Sequence, residues 1–346
     1  MKKKILFVVN PISGTLDKGA IPSLVEKYLN KDLFDYDIRF TEYAGHASEM
    51  AKQAADDGYA IVTAVGGDGT VNEVGRSLVH TDTALAIIPS GSGNGLARHL
   101  LLPMSARKCI EIINEDQTRP LDYGVINDLP FFCTCGMGFD AFVSMKFAEA
   151  GKRGPITYVQ KVLEEGLKYR PETYVITDDS GTEHYKAFLV SVANASQYGN
   201  NAYIAPQASM SDGLLDVVIM EPFDILEAPQ ISIEMFNKTL NKNSKIKTFR
   251  TKHIHVHRSS AGVIHYDGEP MMSGADIDVH LEEKGINILI NPFTNRSRRQ
   301  PNLLQNTAAD LFTQLSNIRE DIRKQTRRGV RWTKMIQKQI EKNLPV

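Results

Sequence analysis

The chain has 346 residues, of which 42% are hydrophobic and 23% are charged, and its formal net charge is −1. That length is generous for one hydrophobic core, so we expect two domains of ordinary soluble composition and no nucleic-acid partner. No apolar run approaches the ~20 residues that cross a bilayer, and Lys2, Lys3 and Lys4 lead into ILFVVN without a signal-like cleavage region, which favours a cytoplasmic protein.

The first third of the chain alternates between strand-like and helix-like segments. Four β-branched or apolar runs are strand-like: KKILFVVN, DYDIRFTEY, YAIVTAVGG and TALAIIPS. Each is followed by a run with helical spacing: IPSLVEKYLN, GHASEMAKQAADDG, TVNEVGRSLVH and SARKCIEIINE. This alternation predicts a doubly wound α/β domain over residues 1–122, in which helices cover both faces of a parallel sheet.

Polar, glycine-rich runs directly follow three of these strands. They are NPISG (residues 10–14), GGDGT (residues 66–70) and PSGSGN (residues 89–94). Ligands of open α/β sheets bind outside the carboxyl ends of the strands. We therefore expect the three runs to lie close together and to form a ligand site.

The GGDGT run places an aspartate among glycines. Glycine permits positive φ angles and lets backbone N–H groups approach an anion closely, and phosphate is the obvious anion. A carboxylate beside phosphate is repulsive unless a divalent cation lies between them, so the run favours a nucleotide polyphosphate with Mg²⁺. The alternative is a tight turn in which Asp68 caps the helix that begins near Val71.

From about residue 123 the pattern changes to short strand-like runs separated by Gly, Asn, Asp and Pro turn signals. It predicts an antiparallel β-sandwich over residues 123–290, with helical stretches near residues 141–168 and 224–240. Cys133 and Cys135 are too close to form an easy disulfide, and no set of His and Cys has zinc-like spacing. We expect these two thiols and that of Cys109 to be buried apolar groups.

Residues 291–346 form a basic tail. From Arg296 onward the chain has 12 basic and 4 acidic side chains, a charge of about +8 against about −9 for the rest of the chain. Apolar residues at helical spacing predict two amphipathic helices. These helices would dock on an anionic membrane with Trp332 at the interface, pack on the first domain, or pair two chains as a homodimer.

Seven motifs occur along the chain in the order NPISG, TEYAGHA, GGDGTVNE, PSGSGNGLAR, GMGFDAF, SDGLLDV and YDGEP. In order and spacing they resemble the catalytic superfamily of diacylglycerol kinases and sphingosine kinases. That resemblance implies an α/β nucleotide-binding domain of the NAD-kinase and phosphofructokinase type, a C-terminal β-sandwich, and a final segment that returns to the first domain. It also implies Mg²⁺-dependent transfer of the γ-phosphoryl group of ATP to the hydroxyl of a lipid at a membrane surface.

The resemblance further implies a set of site residues. Those that would contact ATP and its metal are Asn10, Pro11, Ile12, Ser13, Gly14, Thr41, Gly66, Gly67, Asp68, Gly69, Thr70, Glu73, Ser92, Gly93 and Asn94. Asp267 of the DGE run would be the general base, with Asp68 as the rival candidate, because phosphoryl transfer needs a carboxylate near the acceptor hydroxyl. Glu269 would tune that base or bind a cation. A structural Mg²⁺ would be held by Asp212 and by the carbonyl groups of Ser209 and Leu214.

The sequence features that bear on the substrate leave two lipid classes open. PSGSGN and TEYAGHASEM resemble the sphingosine kinases, which favours a sphingoid base. The aspartate with which those enzymes hold the head group is Phe142 here, while Asp140 lies two residues earlier, so a diacylglycerol-like lipid stays open. Lys152 and Arg153 resemble a basic stretch of the sphingosine kinases that would neutralise the transferred phosphate. The alternative for both is a solvated helix end.

Two other functions are kept as alternatives. NAD-kinase-like enzymes of soluble substrates also carry GGDG turns, but they lack the GSGN and DGE runs in these places. A non-catalytic lipid-binding protein on the kinase fold would not need the acidic side chains that this chain retains.

Histidines alternate along TKHIHVHRSS, at His253, His255 and His257. One strand face could carry a metal, but nothing nearby supplies the usual further ligands, so we expect a solvated face. In the next strand-like run, VIHYDGEP, successive residues face opposite sides of the sheet. Either His265 or Tyr266 is therefore an inward-facing residue.

Overall fold

The computed structural model describes residues 2–14, 18–150, 166, 169–224 and 227–294. The chain divides into two compact units, Met1–Arg298 and Arg299–Val346, and every described element belongs to the first. From residue 295 onward, the basic tail with its two predicted helices lies outside the described residues. Within the described ranges, no helix has both the length and the apolar character needed to span a membrane.

The first part of the chain forms a parallel sheet with helices between its strands. In chain order the elements are β1 (Lys3–Val9), α1 (Ile21–Tyr28), β2 (Phe34–Phe40), α2 (His46–Asp56), β3 (Ile61–Gly66), α3 (Asp68–Leu78), β4 (Ala84–Pro89), α4 (Gly95–His99) and α5 (Ala106–Ile113). The four strands pair in the order β2-β1-β3-β4, all parallel. The predicted α/β domain is confirmed.

Burial explains why these residues form these elements. Strands β3 and β4 are buried at every position, as central parallel strands are when helices cover both faces of the sheet. On α3, Val71, Val74 and Leu78 recur at intervals of three and four residues and face the core. The helix therefore packs on the sheet by one side and leaves its first turn at the carboxyl ends of the strands.

The second part of the chain is mainly antiparallel β structure. Its elements are β5 (Thr118–Ile126), β6 (Leu129–Phe131), β7 (Thr134–Gly138), α6 (Phe139–Ala150), β8 (Glu172–Asp178), β9 (Gly181–Ala187), β10 (Leu189–Ala193), β11 (Leu215–Met220), α7 (Ala228–Phe236), β12 (Ile246–Thr251), β13 (His253–Arg258), β14 (Gly262–Tyr266), β15 (Glu269–Ser273) and β16 (Asp276–Leu289). Six strands form one antiparallel sheet in the order β12-β11-β10-β7-β14-β15.

The long strand β16 joins the two parts. It pairs antiparallel with β5 and β13, and parallel with β4 at Ile288 and Leu85. The chain thus returns to the first sheet before residue 291, and that sheet has ten strands.

The second core lies between this extended sheet and the six-stranded one, and it includes Tyr174, Val217, Val256 and Ile264. This arrangement confirms the predicted antiparallel second domain. Cys109, Cys133 and Cys135 are free and buried, as the sequence predicted.

Candidate active site

Three loops meet at the carboxyl ends of β1, β3 and β4, which are neighbours in the parallel sheet. The Asn10 N–H donates to the Val65 carbonyl at 3.0 Å, and the Asn10 side-chain amide donates to Thr70 Oγ1, also at 3.0 Å. The hydroxyl oxygens of Ser13 and Ser90 lie 3.4 Å apart. The structure therefore brings together the polar runs at residues 10–14, 66–70 and 89–94.

Glycines let these loops touch through their backbones. Gly14 has a φ of +60°, and a Cβ atom there would lie 1.4 Å from the Ser90 carbonyl oxygen. A Cβ atom at Gly91 would lie 2.5 Å from the Gly67 Cα atom. Side chains at Gly14 and Gly91 would force the loops apart, so the sequence needs glycine at these positions for steric reasons.

Helix α3 begins at Asp68, directly after the glycine turn. Its first turn has backbone N–H groups without partners inside the helix, no side chain caps it, and such an end attracts anions. The Asp68 carboxylate accepts hydrogen bonds from the N–H groups of Asn94 at 2.8 Å and Gly95 at 2.7 Å. Asp68 thus binds the start of α4, and α3 begins at Asp68 itself, with Gly67 as its N-cap residue.

The surroundings of Asp68 favour a proton on its carboxyl group. Burial raises the pKa of Asp68, the N–H groups of Gly95 and Asn94 oppose that rise, and the charge of Asp267 adds to it. A Cβ atom at Gly93 would lie 2.8 Å from Asp68 Oδ2, so the loop covers the carboxylate closely. Such a carboxylate is a candidate proton acceptor.

Asp267 lies in the turn between β14 and β15, with a φ of +47°. Its carboxylate accepts four hydrogen bonds, whose donors are the N–H groups of Phe132 (2.9 Å), Cys133 (2.7 Å) and Thr134 (3.2 Å) and the side-chain amide of Asn72 (3.0 Å). Burial raises the pKa of Asp267, and these donors oppose the rise. Through Asn72, helix α3 of the first domain is bonded directly to the turn of the second.

Glu269 also comes close to the start of α3. A Cβ atom at Gly69 would lie 2.9 Å from Glu269 Oε1. Glu73, one turn further along α3, accepts a hydrogen bond from the Gly45 N–H at 3.0 Å. The remaining residues of the predicted nucleotide set differ in exposure: Thr41 is buried, whereas Pro11, Ile12 and Ser92 are exposed.

Two cations near these loops were not identified from the sequence. The ammonium group of Lys18 donates to the Ser13 carbonyl at 2.7 Å, and burial lowers the pKa of Lys18. The Arg98 Nε donates to the Gly93 carbonyl at 3.0 Å. Burial lowers the pKa of Arg98, while Tyr203 and Asp68 act in the opposite direction. The only sequence signal was position, since Lys18 follows NPISG by a few residues and Arg98 is the last residue of PSGSGNGLAR.

Asp140, predicted to contact the head group, lies at the start of α6. It bonds to His265 Nε2 at 3.0 Å and to the Tyr198 hydroxyl at 3.1 Å. The Phe142 ring lies 5.7 Å, between centroids, from the ring of Tyr169. Lys152 and Arg153 lie outside the described residues.

In the set of residues predicted to bind a structural Mg²⁺, the aspartate already contacts an arginine. Asp212 forms an ion pair with Arg250, whose Nε also lies 3.3 Å from Asp216. The other Asp212 oxygen accepts the Leu214 N–H at 3.3 Å, and Ser209 Oγ lies 3.3 Å from the hydroxyl of Ser211. The Arg250 guanidinium thus balances the carboxylate that a metal would otherwise use.

No group of three His, Cys, Asp or Glu side chains in the described ranges is arranged to hold a metal ion. Mg²⁺ bound with a nucleotide usually keeps several waters and takes one or two carboxylates together with the phosphates. Asp68, Glu73 and Glu269 near the start of α3 supply that kind of donor.

Comparisons with known proteins agree with this architecture. Residues 4–126 match the family model of the diacylglycerol kinase catalytic domain, and residues 133–290 match that of the YegS C-terminal NAD kinase beta sandwich-like domain. A diacylglycerol kinase of Staphylococcus saprophyticus is 27% identical over 274 residues, which cover 78% of this chain and 90% of that protein.

Two solved structures share the fold. A diacylglycerol kinase from Bacillus anthracis superposes with a TM-score of 0.64 at 21% identity, covering 84% of this chain and 97% of the other. An NAD kinase from Archaeoglobus fulgidus, solved in complex with ATP, gives 0.50 at 13% identity, covering 85% and 96%. The two domain matches span most of the described chain, in the same order as the observed domains. The chain therefore belongs to the lipid kinase family in which a diacylglycerol kinase catalytic domain is followed by a YegS-type C-terminal domain.

Proposed function

We propose that the protein is an ATP- and Mg²⁺-dependent kinase that transfers the γ-phosphoryl group to a lipid hydroxyl. One observation carries the proposal, which is that carboxylates of both domains meet at the start of α3. Asn72 of that helix bonds to Asp267 at 3.0 Å, and Glu269 lies beside Gly69. A phosphate donor on the loops and an acceptor held by the second domain would then be adjacent, as in-line transfer requires.

The phosphates of ATP would lie against the glycine turns and the first turn of α3, where N–H groups attract anions. Lys18 and Arg98 are the nearby cations, and Asn10, Ser13 and Thr70 are polar groups of the same loops. Bound Mg²⁺ would neutralise phosphate charge, and Glu73 and Glu269 are the carboxylates that would hold it. The chain itself contributes positioning, by fixing the three loops against each other.

The geometry favours Asp68 over Asp267 as the group that accepts the proton of the lipid hydroxyl. A carboxylate offers about four lone-pair positions. All four of Asp267 are used by its donors, whereas Asp68 accepts from Asn94, Gly95 and its own peptide N–H and keeps one. Asp267 would then hold the second domain against α3, and burial raises the pKa of Asp68, the direction that makes a carboxylate a stronger proton acceptor.

The acceptor would be reached at a membrane surface, because a lipid hydroxyl lies there. Diacylglycerol-like lipids and sphingoid bases are the candidate classes, and Asp140 lies where a head group would enter the second domain. We propose peripheral association of a cytoplasmic protein, with the basic tail as the membrane-binding segment. Anionic lipids attract such segments with up to about 1 kcal/mol for each Lys or Arg.

A radiolabelled-ATP assay tests this function. Wild-type protein is incubated with Mg²⁺-ATP and a panel of sphingoid bases, ceramide, diacylglycerol and monoacylglycerol in mixed micelles, next to NAD as a soluble acceptor. We expect label in at least one lipid and none in NAD. ATP binding measured in parallel decides the negative case: if Mg²⁺-ATP binds and no lipid is labelled, the function is wrong. Label in NAD alone would establish the NAD-kinase alternative instead.

A further inference from the structure

Three polar side chains of the second domain form a cluster at the start of α6. Asp140 Oδ2 lies 3.0 Å from His265 Nε2 and 3.1 Å from the Tyr198 hydroxyl, and Asp140 Oδ1 accepts the Ala141 N–H at 2.8 Å. The carboxylate also lies in the first turn of a 12-residue helix, where the helix dipole favours negative charge. Asp140 thus accepts hydrogen bonds from three donors.

His265 is almost completely enclosed, with 2% of its surface exposed. Because Nε2 faces a carboxylate, that nitrogen carries the hydrogen and Nδ1 is an acceptor. Nδ1 is buried without a hydrogen-bond partner in the described part of the chain. A buried polar atom without a partner is uncommon in folded proteins, so the cluster is a place that a hydroxyl group or a water would complete.

The strand next to β14 makes room for the cluster. His265 pairs with Gly136 of β7, and a Cβ atom at Gly136 would lie 2.7 Å from Asp140 Oδ2 and 3.0 Å from His265 Nε2. Any larger residue would separate the imidazole from the carboxylate. The contact between His265 and Asp140 therefore depends on glycine at position 136 of the neighbouring strand.

The cluster lies next to the proposed reaction site. Tyr198 bonds to Asp140 through its hydroxyl, while its peptide carbonyl would be 3.2 Å from a Cβ atom at Gly95 in the loop that binds Asp68. One tyrosine side chain thus separates Asp140 from that loop. Burial raises the pKa of the Cys135 thiol, and the charges of Asp267 and Asp140 both add to that rise.

We propose that His265 is a positioning residue of the acceptor site: its Nε2–H holds the Asp140 carboxylate so that one remaining lone pair accepts a hydrogen bond from a hydroxyl-bearing lipid head group. This inference rests on the lipid-kinase function proposed above. Three of about four lone-pair positions of Asp140 are occupied by donors in the described part of the chain. Asp140 thus keeps one position for the hydrogen of a head-group hydroxyl.

Steady-state kinetics of the full chain test the inference. Initial rates are measured with Mg²⁺-ATP and either dioctanoylglycerol or sphinganine in the same mixed micelles, for wild type, His265→Leu and His265→Gln. We expect wild type to phosphorylate dioctanoylglycerol, and sphinganine serves as a second hydroxyl-bearing acceptor. His265→Leu should raise the KM for dioctanoylglycerol roughly tenfold, the equivalent of one lost buried hydrogen bond, and leave the KM for ATP unchanged. His265→Gln keeps an N–H donor and should recover most of the loss.

The matched control is His184→Gln, a change at an exposed histidine on the edge strand β9 that should alter none of these constants. His265→Gln behaving like His265→Leu, or a joint change in both KM values and the melting temperature, would reduce His265 to a structural residue. If the wild type is active and His265→Leu leaves the KM for dioctanoylglycerol unchanged, this inference alone is wrong. If the wild type binds Mg²⁺-ATP and is inactive, both the proposed function and this inference are wrong.

Discussion

Carboxylates occur in two contrasting surroundings in this protein, the start of α3 and the outer face of β13 and β16. At the start of α3, the carboxylates of Asp68 and Asp267 are covered and accept hydrogen bonds from backbone N–H groups. On the outer face, Asp276 is 64% exposed at its side chain, and it accepts from His257 Nδ1 at 2.8 Å and from His255 Nε2 at 3.3 Å. We call the exposed group that includes His253, His255, His257, Asp276 and Asp278 the histidine–aspartate face.

The two surroundings shift the pKa of aspartate carboxyl groups in opposite directions. Burial raises the pKa of Asp68 and of Asp267, whereas hydrogen bonds from His257 and His255 lower the pKa of Asp276. A raised folded-state pKa means that the charged form costs stability, and that cost disappears as the pH falls through the folded-state pKa. A carboxylate whose folded-state pKa is lowered contributes stability above the ordinary aspartate pKa, and this contribution is lost in acid. Only a carboxylate with a raised pKa is prepared to take up a proton in a reaction.

The largest expected effect separates Asp68 from Asp267 within the cleft. Asp68→Asn removes the proposed proton acceptor, so kinase activity should fall about 10²- to 10⁴-fold, with a smaller loss of stability than in Asp267→Asn because Asp68 has fewer donors from other residues. Asp267→Asn turns an amide N–H₂ toward backbone donors, so the free energy of unfolding should fall by about 1–3 kcal/mol in addition to any loss of activity. Activity assays and denaturant unfolding of both variants measure this. A destabilised Asp68→Asn beside a stable but inactive Asp267→Asn would exchange the two roles.

A second prediction concerns the backbone contact on which the cleft depends. Gly14 and Gly58 both have positive φ, but a Cβ atom at Gly58 meets nothing within 4 Å, whereas one at Gly14 overlaps the Ser90 carbonyl. Gly58→Ala should cost about 1–2 kcal/mol of stability from backbone conformation alone. Gly14→Ala should cost more and weaken ATP binding, because the loop must move. Calorimetric ATP titration with thermal unfolding tests it, and equal losses in the two variants would contradict it.

A third prediction uses Arg250, which supplies the positive charge between Asp212 and Asp216. Arg250→Met should lower the melting temperature by only about 2 °C, because this pair is partly exposed to solvent and screened. Added Mg²⁺ should restore the variant and leave the wild type unchanged, since a cation can replace the guanidinium beside Asp212. Thermal scans with and without Mg²⁺ measure this. A wild type that gains stability from Mg²⁺ without nucleotide would instead support the metal site predicted from sequence.

The smallest expected effect is on the histidine–aspartate face. Because the folded-state pKa of Asp276 is lowered, its stabilising contribution is present above the ordinary aspartate value of 3.8 and is lost as the pH falls through the folded-state pKa. Asp276→Asn should therefore lower the melting temperature slightly at neutral pH and not at all in strong acid, with kinase activity unchanged. A pH series of thermal scans tests the sign. A difference that grows toward acid would contradict it.

Much of the fold was predictable because it depends on local pattern. Apolar runs such as those of β3 and β4, followed by helical spacing, specify buried parallel strands without reference to distant residues. The three polar runs were predicted to meet because parallel neighbours end at one edge of the sheet. The pairing of β16 with β4 was not predicted from sequence pattern, because its one residue pair, Leu85 and Ile288, lies about two hundred positions apart in the chain.

The sequence by itself determined the order of strands and helices, the glycine turns and the identity of the acidic residues, since each follows from composition within a few neighbouring positions. Only the tertiary structure decided what those acidic residues do. It placed Asp68 under the N–H groups of α4, gave Asp267 four donors, and paired Asp212 with Arg250 and Asp140 with His265. A carboxylate takes its charge and its free lone pairs from neighbours that are distant in sequence, and packing alone brings those neighbours into contact.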